Sequence, residues 1–143
     1  MKKQLSIKLL GLQDFNKILE LSKQLNPTLN IETLRLRLES ILKNSSYKCF
    51  GLHEEDNLIG LTGCWTTVRL YSGKQLELDN VIIDPKLQSN GYGKYFFTLI
   101  QQWATENNYE TIELNTYLVN YRSHKFYFNQ GFKVLGFHFQ KHI

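Results

Sequence analysis

Three strand-like stretches follow one another between Tyr47 and Asp84, with turns too short to hold a helix. "YKCFGLHE" and "LIGLTGCWTTVRL" are parted by "EDN" alone, and "YSGKQ" parts the second from "LELDNVIID". Parallel pairing needs a crossover of about a dozen residues or more, so these turns permit only an antiparallel meander. Whatever else the chain forms must pack against that sheet.

The flanking segments have a different period. "QLSIKLL" at 4–10 alternates as an opening strand. "LQDFNKILELSKQLN" places Phe15, Ile18, Leu19, Leu21 and Leu25 at helical spacing, with Asp14 near the first turn and Pro27 at the end. "NIETLRLRLESILKN" is a second helix with Asn30 as N-cap and a stripe of Ile31, Leu34, Leu38, Ile41 and Leu42. After the meander, "GYGKYFFTLIQQWATENN" aligns Tyr92, Phe96, Ile100 and Trp103 on one helical face. "YETIELNTYLV" follows as a strand, "YRSHKFYFNQ" as a short helix stopped by Gly131, and "FKVLGFHFQKHI" as one long or two broken strands. The expected order is β-α-α-β-β-β-α-β-α-β: one α/β (α+β) domain over 1–143, with six or seven strands and about four helices.

At 143 residues, 42% hydrophobic and 21% charged, the chain suits a single globular core. No apolar run approaches the ~18 residues of a membrane span, and the N-terminus lacks a leader's apolar core and cleavage site, so a cytoplasmic protein is expected. The net charge of +4 is uneven: 1–46 and 121–143 are basic, whereas 47–120 is acidic. A basic rim around an acidic centre suits an anionic ligand delivered to a cationic co-substrate, and contact with nucleic acid would give the same sign. The four histidines lack metal-ligand spacing and the two cysteines make no metal motif, so no metal is expected. With Asp56-Asn57 as hairpin tip, Cys49 and Cys64 would stand opposite each other as small apolar strand residues.

"DPKLQSNGYGK" (84–94) joins the third meander strand to the following helix. A glycine-rich turn entering a helix is a generic anion site, because the first helical N–H groups lack partners and the macrodipole favours negative charge. A triphosphate loop would need glycine at Gln88 and serine or threonine at Tyr95, and a dinucleotide fingerprint would need glycine at Phe96. Both patterns fail.

A third pattern fits. Gln88-Ser89-Asn90-Gly91-Tyr92-Gly93 resembles the Q/R-x-x-G-x-G/A signature of the GNAT superfamily of acetyl-CoA-dependent N-acetyltransferases, and "VIIDP" precedes it as in that family. "NYRSHKFYFNQGF" (120–132) resembles the family's N-x-x-A-x-x-F-Y-x-x-x-G-F helix at Asn120, Phe126, Tyr127, Gly131 and Phe132, with Ser123 for the usual alanine. Ser89-Asn90 stands where the family often has Gly-Lys, which removes a cation and leaves backbone donors to dominate.

The resemblance implies a mixed, mainly antiparallel central sheet of six or seven strands flanked by about four helices, and an acyltransferase that uses acetyl-CoA as co-substrate. Gln88, Ser89, Asn90, Gly91, Tyr92 and Gly93 would hold the pyrophosphate, with Lys94, Arg122 and Lys125 near the outer phosphates. Val81, Ile82 and Ile83 would pair with the pantetheine arm, with the Ile83 N–H as an oxyanion donor, and Asn120 would orient the arm or a water. Tyr127 would act as general acid toward the leaving thiolate and also border the cofactor, because a phenol of pKa ~10 carries its proton at neutral pH. Glu77 and Asp79 share a strand face and are candidates to accept the ammonium proton or attract a cationic acceptor.

The expected acceptor is a primary amine of a small molecule or peptide, attacked directly in a ternary complex; neither DNA nor membrane is an expected partner. "WTTVRLY" and "ELD" are candidates to line its cleft, and pairing of the aromatic C-terminal strands between subunits would give a homodimer. Two alternatives stand beside this reading: a non-catalytic acyl-CoA sensor, and an acetyltransferase for aminoacylated RNA, which the basic ends favour.

Overall fold

Alternating and β-branched residues build the sheet of this computed structural model, which describes residues 3–143. The chain divides into two compact units, one reaching to Glu113 and the other Leu114–Ile143. In the first, β1 (Leu5–Leu10) leads through a 3-10 turn (Leu12–Asp14) into helices α1 (Phe15–Leu25) and α2 (Ile31–Leu42). The meander β2 (Tyr47–Glu54), β3 (Asn57–Arg69) and β4 (Gly73–Ile83) comes next. A second 3-10 turn (Pro85–Leu87), helix α3 (Tyr92–Glu106) and strand β5 (Thr111–Leu114, its last residue being the first of the second unit) complete the series. The five strands lie in the sheet in chain order, and β1 to β4 pair antiparallel.

Local chemistry sets the helix starts. The Asn30 side chain accepts from the N–H groups of Glu32 (2.9 Å) and Thr33 (3.4 Å), which caps α2. Asp14 accepts from the Gly11 N–H at 3.0 Å just before α1. The two helices bury Ile18, Leu19, Leu21, Leu34 and Leu38 with Tyr47, Cys49, Leu61 and Ile82 of the sheet. On the opposite face, α3 buries Phe96, Phe97, Ile100 and Ala104, and Trp103 meets Phe50 edge-on at 4.7 Å. The sheet is thus covered on both faces, as a two-sided core requires.

Three details depart from expectation. The β2–β3 turn is Glu55-Asp56, with Glu55 left-handed at φ 56°, and the register shifts between Leu52 and His53. Cys49 therefore faces Gly63, Cys64 faces Lys48, and the buried cysteines sit one residue out of opposition as free thiols. The strand expected through "YETIELNTYLV" shortens to Thr111–Leu114.

The second unit holds one helix, α4 (Tyr121–Asn129), and the run 132–143 forms no strand, so the sheet has five strands rather than six or seven. Aromatic and β-branched content favours a strand only where a neighbour completes the ladder. Residues 133–143 are exposed throughout.

Candidate active site

The third meander strand does not run evenly to its end. Asp79 faces Gly63 and Ile82 faces Leu61, so the single residue Thr62 spans both Asn80 and Val81. This is a β-bulge, and Asn80 takes the left-handed conformation at φ 51°. Asparagine tolerates that region better than most residues, because its short polar side chain bonds locally.

The bulge re-aims the strand. Asp84 N–H donates to the Ile59 carbonyl at 2.8 Å, so by alternation the backbone groups of Ile82 turn to β3 and those of Val81 and Ile83 turn away. On that far side β5 begins where the Glu110 N–H meets the Lys74 carbonyl at 2.8 Å. Its four residues span about 13 Å at the usual rise, which leaves Val81–Ile83 beyond its reach. The Ile83 carbonyl accepts from the Gln88 side chain at 3.2 Å.

Glu77 and Asp79 stand half-buried on the face that carries α1 and α2, opposite Trp65 and Gly63 respectively. In the turn after β4, Asp84 accepts from the Lys86 N–H at 3.0 Å and Pro85 begins the 3-10 turn. Asn90 donates to the carbonyls of Leu87 (2.9 Å) and Gln88 (3.3 Å), which rigidifies the turn from within. Ser89 and Gly91 are left-handed at φ 68° and 81°, and a Cβ on Gly91 would meet nothing within 4 Å. The helical ladder begins with Tyr95 N–H to Gly91 carbonyl at 3.1 Å, so the N–H groups of Tyr92, Gly93 and Lys94 precede it. Exposed residues 88–91 surround these donors, and exposed Lys94 adds a cation.

The Tyr92 ring does not join the buried face of α3. Its hydroxyl donates to Glu54 at 2.7 Å, and Glu54 also takes Lys3 at 3.1 Å, which ties the start of α3 to the end of β2. The two bonds hold the Glu54 carboxyl below its ordinary range, and the bond to Glu54 raises the Tyr92 phenol.

In the second unit, Asn120 N-caps α4 by accepting from the Ser123 N–H at 3.3 Å. Half-buried Tyr127 packs against Phe126 and Phe132 at 5.5 and 5.7 Å between ring centroids. The Phe132 N–H returns to the Tyr127 carbonyl at 3.1 Å. Burial raises the Tyr127 phenol above its ordinary value. Lys125 and Arg122 are exposed on the same helix.

From the stretch expected to line an acceptor cleft, Trp65 is half-buried, whereas Val68, Leu70 and Tyr71 are exposed at the β3–β4 end. Sequence reasoning passed over Tyr47, Thr62 and Gly63, which surround the bulge. An asparagine inside the strand-like run "ELDNVII" is the one sign of it in the sequence. Among the described residues no cluster of three or more His, Cys, Asp or Glu could hold a metal ion. No helix there is long and apolar enough to cross a membrane.

The profile of the acetyltransferase (GNAT) family matches residues 13–132. An uncharacterized N-acetyltransferase, YhdJ of Bacillus subtilis (strain 168), is 28% identical over 121 residues, covering 84% of this chain and 85% of that protein. Among solved structures, the aminoglycoside N-acetyltransferase AAC(6')-Iy in complex with CoA superposes with a TM-score of 0.83 at 17% identity, over 100% of this chain and 97% of that one. The ribosomal-protein-alanine N-acetyltransferase of Brucella melitensis biovar Abortus 2308 gives a TM-score of 0.81 at 16% identity, over 98% and 100%.

Proposed function

The chain belongs to the acetyltransferase (GNAT) family, and from that premise we propose that it moves an acetyl group from acetyl-CoA to a primary amine of a small molecule or peptide. Residues 1–143 act in this reading as a single N-acetyltransferase domain. The observation that carries it is the sequence of a bulged strand end, a self-braced glycine turn and an open helix N-terminus within fifteen residues, Asn80–Lys94.

Donors of this kind suit a pyrophosphate. The N–H groups of Tyr92, Gly93 and Lys94 point out of the helix start, and Gly91 lets an anion approach where a side chain would stand. Gln88, Ser89 and Asn90 shape the turn, while Lys94 and Lys125 serve the outer phosphates. Val81, Ile82 and Ile83 supply the strand that the pantetheine arm extends, with the Ile83 N–H as oxyanion donor. Asn120 sets the start of α4 and thereby orients Tyr127 along the helix.

The acceptor nitrogen attacks the thioester carbonyl; the C–N bond forms, the C–S bond breaks, and Tyr127 gives its proton to the departing thiolate. Asp79 or Glu77 takes the ammonium proton and draws a cationic acceptor to the sheet. Both carboxylates lie on one strand face, so one can bind while the other accepts a proton.

The decisive measurement is coenzyme A release from acetyl-CoA across a panel of amines. Fold relatives named for an aminoglycoside and for a ribosomal protein's alanine make aminoglycosides, polyamines and peptide N-termini the natural members of the panel. Turnover on at least one amine is expected. Tight binding of coenzyme A with no turnover on any of them would replace this reading with that of an acyl-CoA sensor.

A further inference from the structure

The bulge in β4 is gripped from both faces of the sheet. On one face Thr62, fully buried, directs its hydroxyl at the carbonyls of Asp79 (3.2 Å) and Gly63 (3.1 Å). On the other, the Tyr47 ring lies across Gly63 so closely that a Cβ on residue 63 would land on its hydroxyl. Trp65, opposite Tyr47 in the β2–β3 register, braces the ring edge-on at 4.9 Å. The hydroxyl thus lies over Gly63, the residue that faces Asp79 at the edge of the bulge.

A phenylalanine would fill the same ring volume without burying a hydroxyl, and a buried hydroxyl is costly unless it is used. Here it is packed against the glycine beside the bulge, whose Asn80 is left-handed. Burial against its neighbours raises the Tyr47 phenol, so it remains a neutral donor and acceptor rather than a titrating group.

We propose that Tyr47 is a positioning residue for the acetyl donor: together with Thr62 it clamps β3 and β4 at the edge of the bulge and so keeps the backbone of Val81 and Ile83 turned away from β3, ready to pair with the pantetheine arm. The proposal rests on the acetyl-transfer reading above. Tyr47 touches no part of the reaction itself and acts through the strand. The glycine turn, ten residues downstream and braced by Asn90, does not depend on it.

That separation supplies the test. Coenzyme A engages both the turn and the strand, whereas ADP offers a pyrophosphate with no arm. Binding of each to the full chain is measured by calorimetry for the wild type, Tyr47→Phe and Thr62→Val. The variants are expected to weaken coenzyme A by about 3- to 10-fold, the value of one hydrogen bond, while ADP affinity stays within about twofold. Equal loss of both ligands would mean that Tyr47 merely supports the fold, and unchanged coenzyme A affinity would mean that the bulge holds without it; either overturns the proposal. Should Tyr47→Phe fail to fold, Thr62→Val reads the same difference from the other face. A wild type that binds neither ligand would instead remove the acetyl-transfer reading on which the proposal stands.

Discussion

Tyr127 combines two properties that a proton donor to a thiolate needs: a phenol held neutral by burial and a ring fixed by aromatic contacts on two sides. Because burial raises its pKa above 10.0, the proton is present throughout the neutral range and is lost only at strongly alkaline pH. Replacement of Tyr127 by phenylalanine is expected to lower kcat by about 100-fold, the lower end of general-acid effects, with acetyl-CoA affinity little changed. Steady-state rates from pH 7 to 9 check this, and a variant as fast as the wild type across that range would remove the assignment. The helix that carries Tyr127 is legible in sequence because its motif is local. Asn120, Tyr127 and Gly131 lie within one short helix and its stop, and α4 forms there. Tyr47, Thr62 and Gly63 are not legible, because their relation runs across three strands and depends on a register shift that no single strand encodes.

Elements are legible where one period persists over several turns. The stripes of α1, α2 and α3 identify the helices, and the short turns of the meander dictate antiparallel pairing. The β2–β3 register differs from expectation by one because the tip is Glu55-Asp56 and the irregularity between Leu52 and His53 takes back half of that displacement; Glu55 holds the left-handed turn position, where glycine or asparagine would advertise it. Cys49 and Cys64 lie buried and free within these paired strands. Burial pushes the Cys49 thiol up to about 12 and raises Cys64 as well. The folded state thus holds both thiols neutral, whereas the unfolded chain ionises them near the ordinary 9.0. The unfolded state gains by losing protons, so stability is full below pH 9 and falls as pH rises from 9 toward 12. Urea midpoints at pH 8 and pH 10 should show the decline, and a Cys49→Ala, Cys64→Ala double variant should lose much less of its own stability over the same interval. Ellman's reagent at pH 8 should label the native thiols far more slowly than the urea-unfolded ones. Fast labelling of the native protein would contradict the burial.

Across the whole molecule, charge separates two classes of acceptor. The net charge of +4 and the basic ends suit nucleic acid, yet the carboxylates Glu77 and Asp79 on the sheet suit a compact cation. With a small amine as acceptor, turnover should change by less than about threefold between 50 and 200 mM salt, since few ions are displaced. An aminoacylated-RNA acceptor contacting several phosphates would lose about 10³-fold in binding over that interval, so a salt titration of kcat/KM distinguishes them. The last twelve residues show the limit of composition as a guide. "FKVLGFHFQKHI" has the residues of a strand, but a strand is a property of two segments, and the sheet in this chain closes at β5. The glycine under the Tyr47 ring carries a further implication, for how this sequence can diverge. Positions 47 and 63 form one heritable unit, because any side chain at 63 displaces the ring and a smaller residue at 47 opens space that alanine could fill. Descendants that keep the acetyl donor but abandon this brace should therefore change both positions together, and a chain found with only one of them altered marks a step that selection had to tolerate.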